Sequence, residues 1–290
     1  MSLFNLFKKK NTAEENAPLT ENDPLENFPE LLSAKLLFLK KPILDSNLLL
    51  TEVEKHFAKV DHSFTKSTLI FSFPDHTIQL ADGAVPAQCT IMIPDQEEAE
   101  IDLPDAAFQQ NWHWPEANQT AKNCTYEILV TDFMSRTLPY KERLNLFMDF
   151  LVAVIRVTQP NAVYSSPAQK ILNPANITSI WDTDKMQTLN AICNVRLYNV
   201  SNDADHKELL MDTLGLHTIG LPDFQIRFSV ANENEIANLL WTYAYYVYEY
   251  GDVILDGNSL EGVNAGSKWK CEKQLSLVAP GRVVVNVIPD

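Results

Sequence analysis

Residues 211–257 constrain the fold of this chain more than any other stretch. They read MDTLGLHTIGLPDFQIRF, then SVANENEIANLLWTYAYYVYEYG, then DVILDG, the grammar of strand, strand, long helix, strand. Asn232 is placed to cap the helix, its side-chain oxygen accepting a backbone N–H of the first turn. Glu233 and Glu235 follow at the positive end of the helix dipole. Ile236, Leu239, Leu240, Tyr243, Val247 and Tyr250 recur at helical spacing as one apolar stripe, and Gly251 offers a positive-φ residue to end it. The spacing predicts a helix of about five turns. Trp241, Tyr245, Tyr246 and Tyr248 fall off the stripe and are expected under a second layer of the same domain. Trp241, Tyr245 and Tyr248 are also the candidate binding residues, because Trp and Tyr concentrate energy at interfaces.

With 290 residues, 46% of them hydrophobic, the chain can build one large or two modest cores. It contains no run of ~18 apolar residues of the kind that crosses a membrane. The start, MSLFNLFKKK, carries its lysines after a short apolar run, the reverse of a secretory signal, and is expected to be a frayed end without stable membrane association. Cys89, Cys124, Cys193 and Cys271 are dispersed without metal-ligand spacing, so buried reduced thiols and a cytoplasmic location are expected, with no metal site. Residues 11–30 hold six acidic and no basic side chains, and segment 1–32 is expected to be a disordered leader. A net charge of −15 disfavours nucleic-acid binding.

Along the body, AKLLFLKKP reads as a strand stopped by Pro42, followed by a helix over 47–60 capped by Asp45 or Ser46, with His56 on its inner side. STLIFSF, HTIQLAD and PAQCTIMIP read as three strands separated at Pro74–Asp75 and Asp82–Gly83. A polar stretch follows, with an acid cluster (Glu97, Glu98, Glu100, Asp102, Asp105) read as a solvated edge. It also holds an aromatic knot, Trp112–His113–Trp114, read as a plug of the core or a seam. CTYEILVTDF is a strand, a helix opens at Pro139, and NAVYSS is a short buried strand. Residues 33–170 are therefore expected to form a ferredoxin-like (split βαβ) α+β lobe. PAQKILNPANITSIWDTDKMQ reads as a crossing loop with a helical turn. Residues 171–290 form the second lobe, mostly antiparallel strands packed on the aromatic helix, with Val283–Ile288 as a central strand.

Chemistry motifs are sparse. Phosphate loops, a nucleophile elbow and zinc-ligand spacings do not occur, so no cofactor is implied. The best polar constellation is Asp212, His217 and Asp223. On an unbroken strand Asp212 and His217 would face opposite sides, so a dyad between them requires Gly215 to reset the phase.

The run MDTLGLHTIGLPDFQI, the helix after it, and DVILDGNSLEG with the terminal strands resemble the bacterial family catalogued as domain of unknown function 4261. The likeness extends more loosely to AKLLFLKKPILD and NAVYSSPAQKILNP. The chain differs from the family pattern across Asp256–Gly262, where Asn258 replaces a second acid. The resemblance implies fold and bacterial origin without a mechanism. The function expected from these residues is a non-catalytic, protein-binding (immunity-like or regulatory) module. The rival expectation is a hydrolase or transferase with a pocket at the lobe seam built from Asp212, His217 and Asp223.

Overall fold

A computed structural model describes residues 25–81, 83–94, 101–185, 189–200, 208–229 and 231–290. In chain order the elements are β1 (Ser33–Phe38), α1 (Ser46–Val53), β2 (Asp61–Phe64), β3 (Thr68–Leu80), β4 (Gly83–Met92), α2 (Asp105–Gln109), α3 (Ala117–Asn123) and β5 (Tyr126–Phe133). They continue with α4 (Tyr140–Thr158), β6 (Ala162–Ser165), β7 (Lys170–Leu172), α5 (Pro174–Thr183), α6 (Leu189–Ile192), β8 (Asn194–Asn199) and β9 (Leu209–Leu214). A 3₁₀ turn (Leu216–Ile219), β10 (Asp223–Phe228), α7 (Glu233–Tyr250), β11 (Ser259–Glu261), β12 (Lys268–Leu275) and β13 (Val283–Ile288) complete the chain.

The strands form two sheets, as expected of an α+β protein. The first runs β2-β3-β4-β5-β1-β6-β7 and is antiparallel throughout. The second runs β11-β12-β13-β10-β9-β8, with β10 and β13 parallel and the other pairs antiparallel. As the sequence predicts, β13 lies inside its sheet with Val283, Val284, Val285 and Val287 buried.

Strand alternation assigns each face of the first sheet. Leu36 and Val163 point into the large core with α1 and α4, whereas Leu37, Ala162, Tyr164 and Ile171 point the other way, under α2 and α3. Trp114 packs on that smaller cluster. Helix α4 is buried on nearly every side, from Leu144 to Ile155, because it lies inside the large core that draws on both sheets. Each large apolar side chain removed from water there contributes roughly 1.5–3 kcal/mol. That exceeds any difference in helix propensity.

Helix α7 covers the second sheet. Asn232 caps it, accepting from the Asn234 N–H at 2.9 Å, and Gly251 ends it at φ 84°. Its buried side is Ile236, Leu240, Tyr243, Ala244, Val247 and Tyr248. The predicted stripe drifts at its end: Tyr248 is buried against Tyr140, whereas Tyr250 is 65% exposed. The reason is that the last turn of α7 meets the start of α4, where the Tyr140 hydroxyl donates to the Tyr248 carbonyl at 2.8 Å.

Three other expectations are corrected. STLIFSF and HTIQLAD form the single strand β3, which carries Pro74–Asp75 through a register shift between Phe73 and Thr77 instead of turning. Pro74 is tolerated there because a bulge needs no ladder donor. Helix α1 stops at Val53, short of 60. The segment taken for a loop before 190 contains strand β7 and helix α5, the latter capped by Asn173 with Pro174 at its first position. Of segment 1–32, residues 1–24 lie outside the described residues. Residues 25–32 are tied to both sheets. The Asn27 side chain donates to the Leu221 and Val283 carbonyls and accepts from the Val283 N–H. Leu32 donates to Asp132 at 2.7 Å. All four cysteines are free and buried. Among the described residues, no helix is long and apolar enough to cross a membrane.

Candidate functional site

Two polar constellations stand out, one on the face of the second sheet turned away from α7 and the other at the seam between the two sheets. Residues paired across a sheet share a face and sequence neighbours alternate. Arg196 sits opposite Asp212, and Asp212 opposite Gln225, so Arg196, Asp212 and, two residues before Gln225, Asp223 share one face. Val195, Leu197 and Met211 take the other, toward α7.

The first constellation brings Asp212, His217 and Asp223 together through arginines. Arg196 donates from Nε to Asp212 Oδ1 at 2.9 Å and from Nη2 to Oδ2 at 2.5 Å, a bidentate pair. Arg282 bridges the acids, donating from Nη2 to Asp212 Oδ2 at 2.6 Å and from Nε to Asp223 Oδ2 at 3.0 Å. Asp223 also accepts from His217 Nδ1 at 2.7 Å, from the Thr213 hydroxyl at 2.9 Å, and from the backbone N–H groups of Gly215, Leu216 and His217. Burial alone would raise the Asp223 carboxyl. Arg282, His217 and Thr213 outweigh it and hold the group well below the usual carboxylate range. An ionised carboxylate only accepts, so His217 Nδ1 carries the proton. Gly215 does reset the phase, at φ 135°, and a Cβ there would lie 1.8 Å from the Ile192 carbonyl oxygen.

Asp212 and Asp223 are 1% and 0% exposed and His217 6%. With both acids saturated by guanidinium, hydroxyl and amide donors, this arrangement holds a scaffold together. Removing one partner of such a buried pair leaves an uncompensated charge.

The second constellation was not read from the sequence. Two adjacent cavities of about 200 and 340 Å³ lie at the seam of the sheets, and His113, Lys170 and Asn190 line both. The smaller is walled by Leu172, Ile177 and Ile180, the larger by Trp112, Trp241, Leu197 and Met211. Asp212, His217 and Asp223 line neither.

Lys170 occupies the junction. In β7 it shares a face with Leu172, opposite Ile171, which turns its side chain toward the seam. It is 5% exposed. Its Nζ makes one long hydrogen bond, 3.4 Å to the Asn190 carbonyl, and lies 5.8 Å from the centre of the Trp241 ring. Among the described residues no carboxylate pairs with it. Burial pushes its ammonium down from the ordinary lysine value to about 8.

His113 lies beside it, its Nε2 3.0 Å from the Ile171 carbonyl. A carbonyl cannot donate, so Nε2 bears the hydrogen and Nδ1 is an acceptor. Burial, then the nearby Lys170 charge, push this imidazole down to about 4. It is neutral at ordinary pH and adds no charge to the cleft.

The predicted binding residues scatter around this site. Trp241 lines the larger cavity and stacks at 6.1 Å on Tyr245, which is half-buried and engages the Asn190 side chain. Tyr248 lies away from the cleft, against α4. Of the aromatic knot, Trp112 is 64% exposed at the rim and His113 lines the cleft, while Trp114 is packed elsewhere. His56 is a boundary histidine, Nδ1 3.3 Å from Asp149. Glu97, Glu98 and Glu100 lie outside the described residues. Lys170 was missed because a lone lysine in PAQKILNP reads as a solvated loop charge. One signal was present: no acidic residue occurs between Asp149 and Asp182, so no local counter-ion is available to it.

Asn258 closes a turn, its Oδ1 accepting the Leu255 N–H at 3.1 Å, while Asp256 accepts the Lys273 N–H at 2.5 Å. Residues 212–288 match the sequence model of a family described as Domain of unknown function (DUF4261), so the C-terminal resemblance holds across Asp212, His217, Asp223 and Arg282, α7 and the closing strands, with Arg196 outside it. No curated protein and no solved structure matches the chain.

Proposed function

We propose that this protein is a non-catalytic binding module whose ligand is a small molecule, with a flat apolar body and a carboxylate-type anionic group, taken into the seam cleft. The observation that carries this reading is Lys170: a cation 5% exposed, in no ion pair with a carboxylate among the described residues, at the junction of two cavities. Burying a charge without a partner is costly, and a ligand anion supplies the missing partner. The Trp241 and Trp112 rings suit a flat body, and a concave, mostly apolar wall with a few convergent polar groups is the usual form of a ligand site. The rival reading, hydrolysis or group transfer by Asp212, His217 and Asp223, is disfavoured because both acids are committed to arginines on the far face of the second sheet. Calorimetry with mandelate, a flat-ringed carboxylate, tests the binding. Heat of binding to the wild type that is lost in Lys170→Met supports the reading; equal heats, or none in either, refute it.

A protein partner remains the second reading, on a different surface. The Tyr246 and Tyr250 rings meet at a tilt, centroids 5.0 Å apart, and are 43% and 65% exposed, with Val253 and Leu255 following in the chain at 46% and 63%. An exposed aromatic cluster of this kind is where a partner would gain most. Charged substitutions at Tyr246 and Tyr250 that leave the melting temperature unchanged but abolish complex formation support it; complexes that survive them refute it.

First-lobe topology is read as ferredoxin-like on the order β6-β1-β5-β4, with α1 after β1 and α4 after β5. The cytoplasmic setting is supported by four free thiols.

A further inference from the structure

A buried lysine without a counter-ion has two chemical uses: as a cation it holds an anion, and as a free amine it is a nucleophile. Three features of the cleft favour the second use in addition to the first. The Nζ is held by a single long hydrogen bond, 3.4 Å to the Asn190 carbonyl, so its lone pair is not committed once a proton leaves. It sits at the junction of two cavities, leaving room for a substituent on nitrogen on either side. Finally, among the described residues no second lysine or arginine lines either cavity. The site therefore has no separate cation for an anionic group, and one nitrogen must serve both the anion and the reacting carbon.

We infer that Lys170 forms a reversible imine with the keto group of an aromatic α-keto acid. This rests on the binding reading above and names the ligand class more closely. The ring lies in the aromatic cavity by Trp241, and the carboxylate neighbours the nitrogen that becomes positively charged. The Nζ lone pair attacks the carbonyl carbon and the C=O π pair moves onto oxygen. That oxygen takes up the two amine protons and leaves as water, so that C=N replaces C=O. A proton from solvent then gives the iminium, which keeps one positive charge on nitrogen opposite the ligand carboxylate.

Burial is what favours the free amine here, and it outweighs the Cys193 thiol, which acts the other way. His113 is neutral, the Cys193 thiol is pushed well up by burial, and Tyr245 is raised by burial. Glu233, in the first turn of α7, also lines the larger cavity. With the ammonium lowered to about 8, a substantial fraction is free amine near neutral pH, whereas an ordinary lysine at ~10.4 has almost none.

The test uses the full chain with benzoylformate, an aromatic α-keto acid that cannot enolise, and cyanoborohydride, which delivers hydride to the iminium carbon and fixes the adduct as a secondary amine. Peptide mapping by mass spectrometry then locates it. The expected result is labelling of Lys170 at least tenfold above any other lysine, with a rate that rises through pH 8. Lys170→Arg, which removes the amine, is expected to lose the label, with an unchanged melt to establish folding. Mandelate, which has the ring and carboxylate but no carbonyl, separates the two claims. If mandelate binds and benzoylformate never labels Lys170, the imine is refuted while the binding reading stands. If neither compound binds, both fall. Labelling spread over exposed lysines with Lys170 spared also overturns the inference.

Discussion

Arg282→Met would test the scaffold role of the acid–histidine set directly. The Arg282 guanidinium donates to Asp212 at 2.6 Å, to Asp223 at 3.0 Å, and to the Thr213, Pro280 and Val278 carbonyls at 2.7, 2.9 and 3.3 Å. Removing one partner of a buried pair costs about 3–5 kcal/mol. Arg196 still neutralises Asp212, and His217 and Thr213 still serve Asp223, so about 4 kcal/mol is expected rather than the sum of five bonds. That corresponds to a fall in melting temperature of roughly 10 °C for a chain of this size. The pH dependence carries the sharper signature. In the wild type the Asp223 carboxyl is held low, so its contribution is full above the ordinary carboxylate pKa and is lost as pH falls through the folded value. In the variant, burial acts on Asp223 without its principal counter-charge and raises the carboxyl. Protonation then relieves the cost, and the variant should gain stability relative to wild type as pH falls from 7 toward 5. Urea denaturation at several pH values measures both effects. A loss below 1 kcal/mol, with a pH slope matching wild type, would refute the reasoning.

Three further outcomes are expected. Lys170→Met should raise stability: the shift from 10.5 to about 8 represents about 3 kcal/mol of burial cost below pH 8, offset in part by losing the Trp241 contact at ~1 kcal/mol. Thermal melts should show a net gain of about 1–2 kcal/mol at pH 7, shrinking as pH rises from 8 to 10.5, because wild-type stability itself rises over that window. Gly215→Ala should cost more than about 3 kcal/mol or prevent folding, from a Cβ 1.8 Å from the Ile192 carbonyl at φ 135°; a soluble, wild-type-like melt would contradict it. Tyr243→Phe should cost about 1 kcal/mol in denaturant titration, through loss of the 2.5 Å bond to the Glu261 carbonyl that ties α7 to β11.

The parts of the fold that were legible are those where local signals and tertiary packing agree. Asn232, the stripe from Ile236 to Val247, and Gly251 specify α7 by themselves, and the valines of β13 announce a strand buried on both faces. Where a neighbour decides, the sequence misleads. Pro74–Asp75 looks like a turn because its unpaired backbone is accommodated only by a bulge against β4. Tyr248 and Tyr250 exchange burial because α4 arrives at the last turn of α7. The acid–histidine set was visible as a cluster whose assembly required Gly215 to reset the phase, but its arginines were not. Arg196 and Arg282 lie 86 residues apart and converge only through the order β13-β10-β9-β8. Lys170 was the least legible, since nothing in a three-residue strand tells a buried lysine from a solvated one.

The central claim is that Lys170 is an uncompensated cation waiting for a ligand, and NMR titration of the lysine side chains, selectively labelled at Cε and Nζ, addresses it most directly. One lysine should titrate near 8, vanish from the spectrum of Lys170→Met, and move upward when mandelate saturates the cleft. A spectrum in which every lysine titrates near 10.5, or in which the low-titrating one ignores mandelate, would contradict the account.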